Sequence, residues 1–419
     1  MSIEQHEEPV SGDLNMDALI EMGRTTMSKN FRQAPIVLTR GEGLYCWDKS
    51  GRRYIDFIGG LAVNGLGHAH PRVVEATTRQ VKSLIHVSNL YFNEPQIRLS
   101  ARLSERFGDG RVFLCSSGTE ANEAALKLAR RYAAVVKGEP ERNGIVSFKK
   151  SFHGRTMFSL AATGQEKYHE GFHPMIPGFQ YADFNDLDSV SALVDETTCA
   201  VIVEPIQAEG GLILPQPGFL AALKALCVER GALLILDEVQ AGCARTGTFF
   251  AYEQENVKPD IVTMAKALGA GMPIGAMIST QEVSDGFAPG AHGGTFSGNA
   301  VACNVALAVL DCIEQENLLD HVTTVGAFLG ESLAQLGKRF DCVDGPRGRG
   351  FIWGLGFHQD IAPDVMLKCI EHGLLVNRLN ARTIRFLPPL IAQKSHVRAV
   401  CEILATVIEE VVRESESAE

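Results

Sequence analysis

Over residues 111–278, short apolar runs alternate with amphipathic stretches. Such alternation points to a mainly parallel sheet flanked by helices, because a parallel strand is reached only through a long crossover. Two runs stand out: residues 232–236 lead into Asp237, and residues 261–264 lead almost directly into Lys266. Open α/β sheets bind ligands beyond the carboxyl ends of their strands, so this acid and this amine can converge on one small molecule. The chemistry they suggest is a pyridoxal phosphate site. In such a site a lysine amine condenses with the cofactor aldehyde, and a carboxylate keeps the pyridine nitrogen protonated so that the ring accepts electrons. Taken alone, the pair fits ordinary surface charges after two strands better, so the rest of the chain must decide.

Other strand ends carry related signals. Residues 112–115 run into Ser116-Ser-Gly-Thr-Glu-Ala-Asn122 and then a helix with Ala125, Leu128, Ala129 and Tyr132 on its apolar side. At that helix start Gly118 lets the backbone approach a ligand, Thr119 adds a hydroxyl, and free N–H groups favour a phosphate. A capping box of Ser117 and Glu120, without any ligand, explains the stretch equally well. The run 144–148 leads to Phe152, which can stack on a flat ring, and to Arg155, whose planar fork can hold a carboxylate. The run 199–203 ends in Glu204-Pro-Ile-Gln-Ala-Glu209, and the small-residue loop His292-Gly-Gly-Thr295 offers another hydroxyl for phosphate.

Residues 35–57 read as strands joined by a tight turn, after a loose acidic tail of about a dozen residues and order beginning near Met16. From Leu319 a second α/β lobe is expected, with helices over 319–338 and 363–373 and strands near 350–356, 374–376 and 383–386. A last helix, capped by Ser395, precedes a polar tail from Glu414. The glycine-rich Gly348-Arg-Gly-Phe-Ile-Trp-Gly354 lies inside a strand on this reading, which argues against a nucleotide loop. The division expected is 1–64 packing with the small domain, 65–316 as the cofactor domain, and 317–419 as the C-terminal small domain. His68 and His70 resemble metal ligands, yet no carboxylate or cysteine cluster accompanies them in sequence, so no metal is expected. Fifty acids against 39 bases, a net charge of −11, argue against nucleic acid and anionic membranes. Ten singly scattered cysteines, no signal-peptide core and no run of eighteen apolar residues predict a cytoplasmic chain with reduced thiols.

With these residues in hand, the sequence resembles the class III aminotransferases, pyridoxal-phosphate enzymes of fold type I that act on ω-amines. The motifs that carry the likeness are Gly65-Leu-Gly-His-Ala-His-Pro71, His86-Val-Ser-Asn-Leu-Tyr-Phe-Asn-Glu-Pro95, Ser117-Gly-Thr-Glu-Ala-Asn-Glu-Ala124, Phe152-His-Gly-Arg-Thr156, Val203-Glu-Pro-Ile-Gln207 and Leu236-Asp-Glu-Val-Gln240. Within the family the likeness is greatest to the branch acting on acetylornithine, with 2-oxoglutarate and glutamate closing the cycle. The resemblance implies that Lys266 and Asp237 are catalytic and that Gly118 and Thr119 hold the phosphate. It further implies that Phe152 and Val239 cover the two ring faces and that Gln240 lies near the ring hydroxyl. Thr295 matches a threonine that reaches the neighbouring subunit's phosphate, which implies a homodimer with shared active sites. Arg155 and Arg385 match two carboxylate binders, and Glu209 matches a glutamate that folds over the second arginine. Ser116, Ala208 and Gly294 depart from the family pattern, Gly294 at a substrate-contacting position. Phe31 and Leu61 stand where ornithine enzymes carry tyrosines, and the Gly293-Gly-Thr-Phe296 segment also resembles the 4-aminobutyrate enzymes, which are the alternative.

Overall fold

The structure, a computed structural model, describes residues 14–416, so the expected acidic tail lies outside the described residues. Seven strands form the central sheet, in the order Arg111–Cys115, Gly275–Ser279, Ile261–Met264, Leu233–Asp237, Thr198–Val203, Gly144–Phe148, Phe179–Ala182. The five strands from Ile261–Met264 outward pair in parallel, whereas Gly275–Ser279 is antiparallel to both of its neighbours. The sequence reading names neither Gly275–Ser279 nor Phe179–Ala182 as a strand. Only the short turn Lys266–Gly269 and a few more residues separate Gly275–Ser279 from Ile261–Met264. That is too little chain for a parallel crossover, so the strand returns antiparallel.

Every residue of Thr198–Val203 is buried, and its side chains alternate between two cores: Val201 and Val203 pack in one, Ala200 and Ile202 in the other. A strand that buries both faces reads as an uninterrupted apolar run, which is why these strands are legible as runs rather than as alternations. The helix Gly118–Arg131 supplies Ala124, Ala125, Leu128 and Ala129 to the second core.

The lead-in strands Leu38–Glu42, Tyr45–Asp48 and Arg53–Asp56 are antiparallel, as expected, and a fourth, Leu374–Leu375, adds in parallel to Arg53–Asp56. A separate sheet pairs Val343–Arg349, Ile352–Phe357, Thr383–Phe386 and Asn377–Asn380 in that order. The glycine-rich segment is therefore the turn of a hairpin and not the interior of one strand as expected. The final helix begins at Lys394, so Ser395 is within it and is not its cap. The backbone N–H of Gln393 instead donates to His396 Nδ1 at 3.0 Å. The helix also continues through Glu416, where a polar tail is expected from Glu414.

Candidate active site

Five strands end at one cavity of about 470 Å³. Its wall takes Ser116 to Thr119 after Arg111–Cys115, Phe152 to Arg155 after Gly144–Phe148, and Glu204 after Thr198–Val203. Asp237, Val239 and Gln240 follow from Leu233–Asp237, and Lys266 from Ile261–Met264. Asp237 lies opposite Thr263 in the register of adjacent parallel strands, so the acid and the amine leave the sheet at the same level.

The Asp237 carboxylate is 4% exposed, and three groups converge on it. Asn122 Nδ2 donates to Oδ2 at 2.7 Å, His153 Nδ1 to the same oxygen at 2.8 Å, and the Val239 N–H to Oδ1 at 3.0 Å. Asn122 is fixed in turn by Thr263, whose hydroxyl donates to its Oδ1 at 2.7 Å. The contact to Asp237 puts the His153 proton on Nδ1, and its buried Nε2 has no hydrogen-bond partner among the described residues. Lys266 carries φ +46, an uncommon backbone for a residue with a side chain, and such strain concentrates at functional sites. Burial lowers its amine below the ordinary lysine value, against the opposing charge of Glu209, and Nζ makes no hydrogen bond among the described residues. A less protonated lysine is the form that attacks a carbonyl carbon or takes up a proton.

Gly118 begins the helix Gly118–Arg131 with Ser117 as its cap. A Cβ on Gly118 would come within 2.6 Å of Val239 Cγ1, so the glycine admits the valine to the cavity wall. The Glu120 N–H donates to Ser117 Oγ at 3.3 Å, which is one half of a capping box, while the Glu120 carboxylate accepts from the Ser116 N–H at 3.0 Å and the Ser117 hydroxyl at 2.8 Å in place of the Ser117 N–H; the N–H groups of Gly118 and Thr119 take no part in it. Thr119 Oγ1 lies 2.8 Å from Thr156 Oγ1. The set of a buried carboxylate, a lysine whose amine burial makes easier to deprotonate, a helix start, and apolar walls at Phe152 and Val239 fits an aromatic ring bearing an aldehyde and a phosphate.

Behind Gln240 sits a second constellation. Arg385, on Thr383–Phe386, donates through Nη1 to Glu209 Oε1 at 2.5 Å and to Gln240 Oε1 at 3.0 Å, and through Nε to Asn377 at 3.0 Å. Gln240 Nε2 also donates to Glu209 Oε1 at 3.2 Å. Burial alone would raise the Glu209 carboxyl, but the charge of Arg385 and its hydrogen bond outweigh burial and hold it low. Arg155 is exposed, its guanidinium lies 3.9 Å from the centre of the Tyr168 ring, and it pairs with no carboxylate among the described residues. Gly294 and Thr295 are exposed and outside the cavity of their own chain, as are Phe31 and Leu61.

Sequence reasoning missed three participants. His153 and Asn122 stand inside motifs it quotes without receiving a role. Glu204 accepts from the Phe152 N–H at 3.0 Å and lines the cavity, where burial first and the charge of Asp237 second raise its carboxyl well above the ordinary value.

Three likenesses bear on this arrangement. The chain is 46% identical over 385 residues to an acetylornithine aminotransferase of Aquifex aeolicus, covering 92% of this chain and all of that one. It is 46% identical to a succinylornithine transaminase of Salmonella typhimurium over 360 residues, 85% of this chain and 88% of that one. The fold matches an ornithine aminotransferase of Toxoplasma gondii, solved with PLP at partial occupancy in its active site, with a TM-score of 0.93, 32% identity and 96% of each chain covered. Residues 26–408 match the family model described as aminotransferase class-III, and the chain belongs to that family of pyridoxal-phosphate-dependent aminotransferases.

Proposed function

We propose that this chain transfers the ω-amino group of an N-acylated ornithine, N-acetylornithine foremost, to 2-oxoglutarate, giving the semialdehyde and glutamate. The observation that carries the reading is the Arg385–Glu209–Gln240 cluster, joined through Gln240 to a cavity that Arg155 also lines, Arg155 having no carboxylate partner among the described residues. Such an enzyme must accept two substrates whose reacting amines sit differently. Glutamate brings its α-carboxylate beside the reacting amine, where Arg385 can grip it, and its side-chain carboxylate extends to Arg155. Acylated ornithine presents only methylenes to Arg385, and Glu209 then covers a cation that would otherwise be buried and unpaired.

Pyridoxal phosphate, when bound, supplies the aldehyde that takes up the amino group and a ring that accepts electrons from the breaking C–H bond. Lys266 would hold the cofactor until substrate arrives, and its amine, easier to deprotonate through burial, would serve as base and acid for the proton on the substrate's amine-bearing carbon. Asp237, oriented by Asn122 and His153, would hold the ring nitrogen. Gly118 and Thr119 would bind the phosphate through N–H and hydroxyl groups, Phe152 and Val239 would hold the ring, and Gln240 its hydroxyl.

A homodimer completes the site, with Gly294 and Thr295 serving the neighbouring subunit. Support comes from the exposed Leu90, Tyr91 and Phe92 beside the exposed Phe296, on loops tied together where Asn89 Nδ2 donates to the Ser297 carbonyl at 2.8 Å. Ten free cysteines favour a reducing cytoplasm, and the domain boundaries fall near residues 64 and 316. The reading is tested by kcat/KM for N-acetylornithine, N-succinylornithine, ornithine and 4-aminobutyrate. N-acetylornithine is expected to lead, and a lead for 4-aminobutyrate replaces this reading by its alternative. Borohydride trapping followed by peptide mapping is expected to mark Lys266, and label on another lysine removes its role.

A further inference from the structure

The sequence sets no cysteine or carboxylate beside His68, yet the fold supplies one of each. Cys46 lies on Tyr45–Asp48 and Asp56 ends Arg53–Asp56. Both side chains meet the imidazole at one atom: Nε2 is 3.1 Å from Cys46 Sγ and 2.8 Å from Asp56 Oδ2. Nε2 offers either one hydrogen or one lone pair, so it cannot make a full hydrogen bond to both the sulfur and the carboxylate. Three Lewis bases facing one point make the inner shell of a cation, and a thiolate, an imidazole and a carboxylate suit zinc. We propose that Cys46, Asp56 and His68 form a zinc-binding site in which water is the fourth ligand.

Tetrahedral zinc, with bonds of about 2.3 Å to sulfur and about 2.0 Å to nitrogen and oxygen, needs these contacts to widen by about half an ångström. Side-chain torsions on three separate segments supply that. The surrounding contacts already aim the ligands, as outer contacts do in metal sites. Asp56 Oδ1 accepts from the N–H groups of Ile58 at 3.0 Å and Gly59 at 2.8 Å, which leaves Oδ2 for the site. The imidazole rests on the backbone at Gly41, where a Cβ would lie 2.6 Å from His68 Cβ and Cγ. Asp56 and Cys46 are buried while the His68 side chain is 22% exposed, so water has access on the imidazole side.

Binding forms bonds from zinc to sulfur, nitrogen and oxygen, and releases the Cys46 thiol proton and the Nε2 proton to solvent; the two anionic ligands balance the metal charge. The competitor is the proton itself. A second group within coordination range, His70 with Cys312 and Glu316, has an exposed carboxylate and serves as the internal comparison.

The test is equilibrium dialysis of the full-length holoenzyme against micromolar zinc, with the metal counted by atomic absorption. One zinc per chain is expected for the wild type and for Cys312→Ser, with affinity at least ~10-fold weaker in Cys46→Ser. Cobalt(II) should give the intense visible bands of a tetrahedral thiolate site in the first two and not in the third. No stoichiometric zinc in the wild type overturns the proposal, as does zinc retained by Cys46→Ser or lost in Cys312→Ser. A measurement that needs no variant guards against a folding defect: anomalous scattering at the zinc edge from a zinc-soaked wild-type crystal. Its peak should lie among Cys46, Asp56 and His68, and a peak elsewhere or none overturns the assignment.

Discussion

The two ends of the site, Asp237 on the cavity wall and Arg385 behind Gln240, are built by opposite rules. At the inner end Asp237 is wrapped by Asn122, His153 and the Val239 N–H, and Asn122 is pinned by Thr263 from the next strand. At the outer end the Arg385 side chain is 1% exposed, but its partner Glu209 is 26% exposed and stands on a loop. A carboxylate held by fixed donors on a sheet edge cannot withdraw, whereas one reaching over from a loop can. The buried guanidinium then requires another carboxylate in its place, because breaking a buried pair without replacement costs about 3–5 kcal/mol. On the proposed reading, one end holds a charge in position and the other exchanges one.

The strongest way to break this contrast is Asp237→Asn, which keeps the shape and removes the charge. The variant is expected to retain cofactor yet turn over at least ~100-fold more slowly, and near-normal kcat would remove Asp237 from the chemistry. Next is Glu209→Gln. Single-turnover rates should fall roughly 10-fold in the ω-amine half-reaction and hold or rise in the glutamate half-reaction, because Arg385 is then permanently available. Equal losses in both halves would make the outer end as fixed as the inner one.

A smaller effect is expected at Thr263→Val, which leaves Asn122 Oδ1 without its donor. Stability should drop by about 1–3 kcal/mol in denaturant unfolding, and an unchanged midpoint would mean that Asn122 needs no support. The smallest effect belongs to Glu204→Gln. Burial, and then the charge of Asp237, push Glu204 well above its ordinary 4.5, so the folded chain keeps a proton that the unfolded chain releases. Stability from this group therefore falls as pH rises from about 4.5 toward the folded value, and the glutamine variant should flatten that fall in Tm measured across pH. Turnover at neutral pH should stay within a few-fold of wild type, since glutamine keeps an oxygen for the Phe152 N–H.

Much of the inner end is legible in the sequence because it is local: Asp237 and Lys266 each close an apolar run that must be a strand. Their supports are not legible. His153, Asn122 and Thr263 come from three different segments, and nothing in a linear pattern says that the first two meet on one carboxylate with Thr263 holding Asn122 from behind. The same limit explains His68, whose sulfur and carboxylate neighbours stand 22 and 12 residues upstream on other strands. Arg385 and Glu209 entered through family likeness and not through periodicity, since 176 residues separate them. Strand Gly275–Ser279 escaped because its small residues, Gly275, Ala276 and Ser279, dilute the apolar run that marks its neighbours.

The parallel pairing of Leu374–Leu375 with Arg53–Asp56 has a consequence for how the chain is made. The N-terminal strands leave the ribosome with the Arg53–Asp56 side of their sheet unpaired, and the segment that covers it is made about 300 residues later. At 5–20 residues per second the wait is on the order of 15–60 s. An unpaired edge is a template for other chains during that interval. Nascent chains of this protein should therefore be clients for chaperones that shield strand edges, until translation passes Leu375.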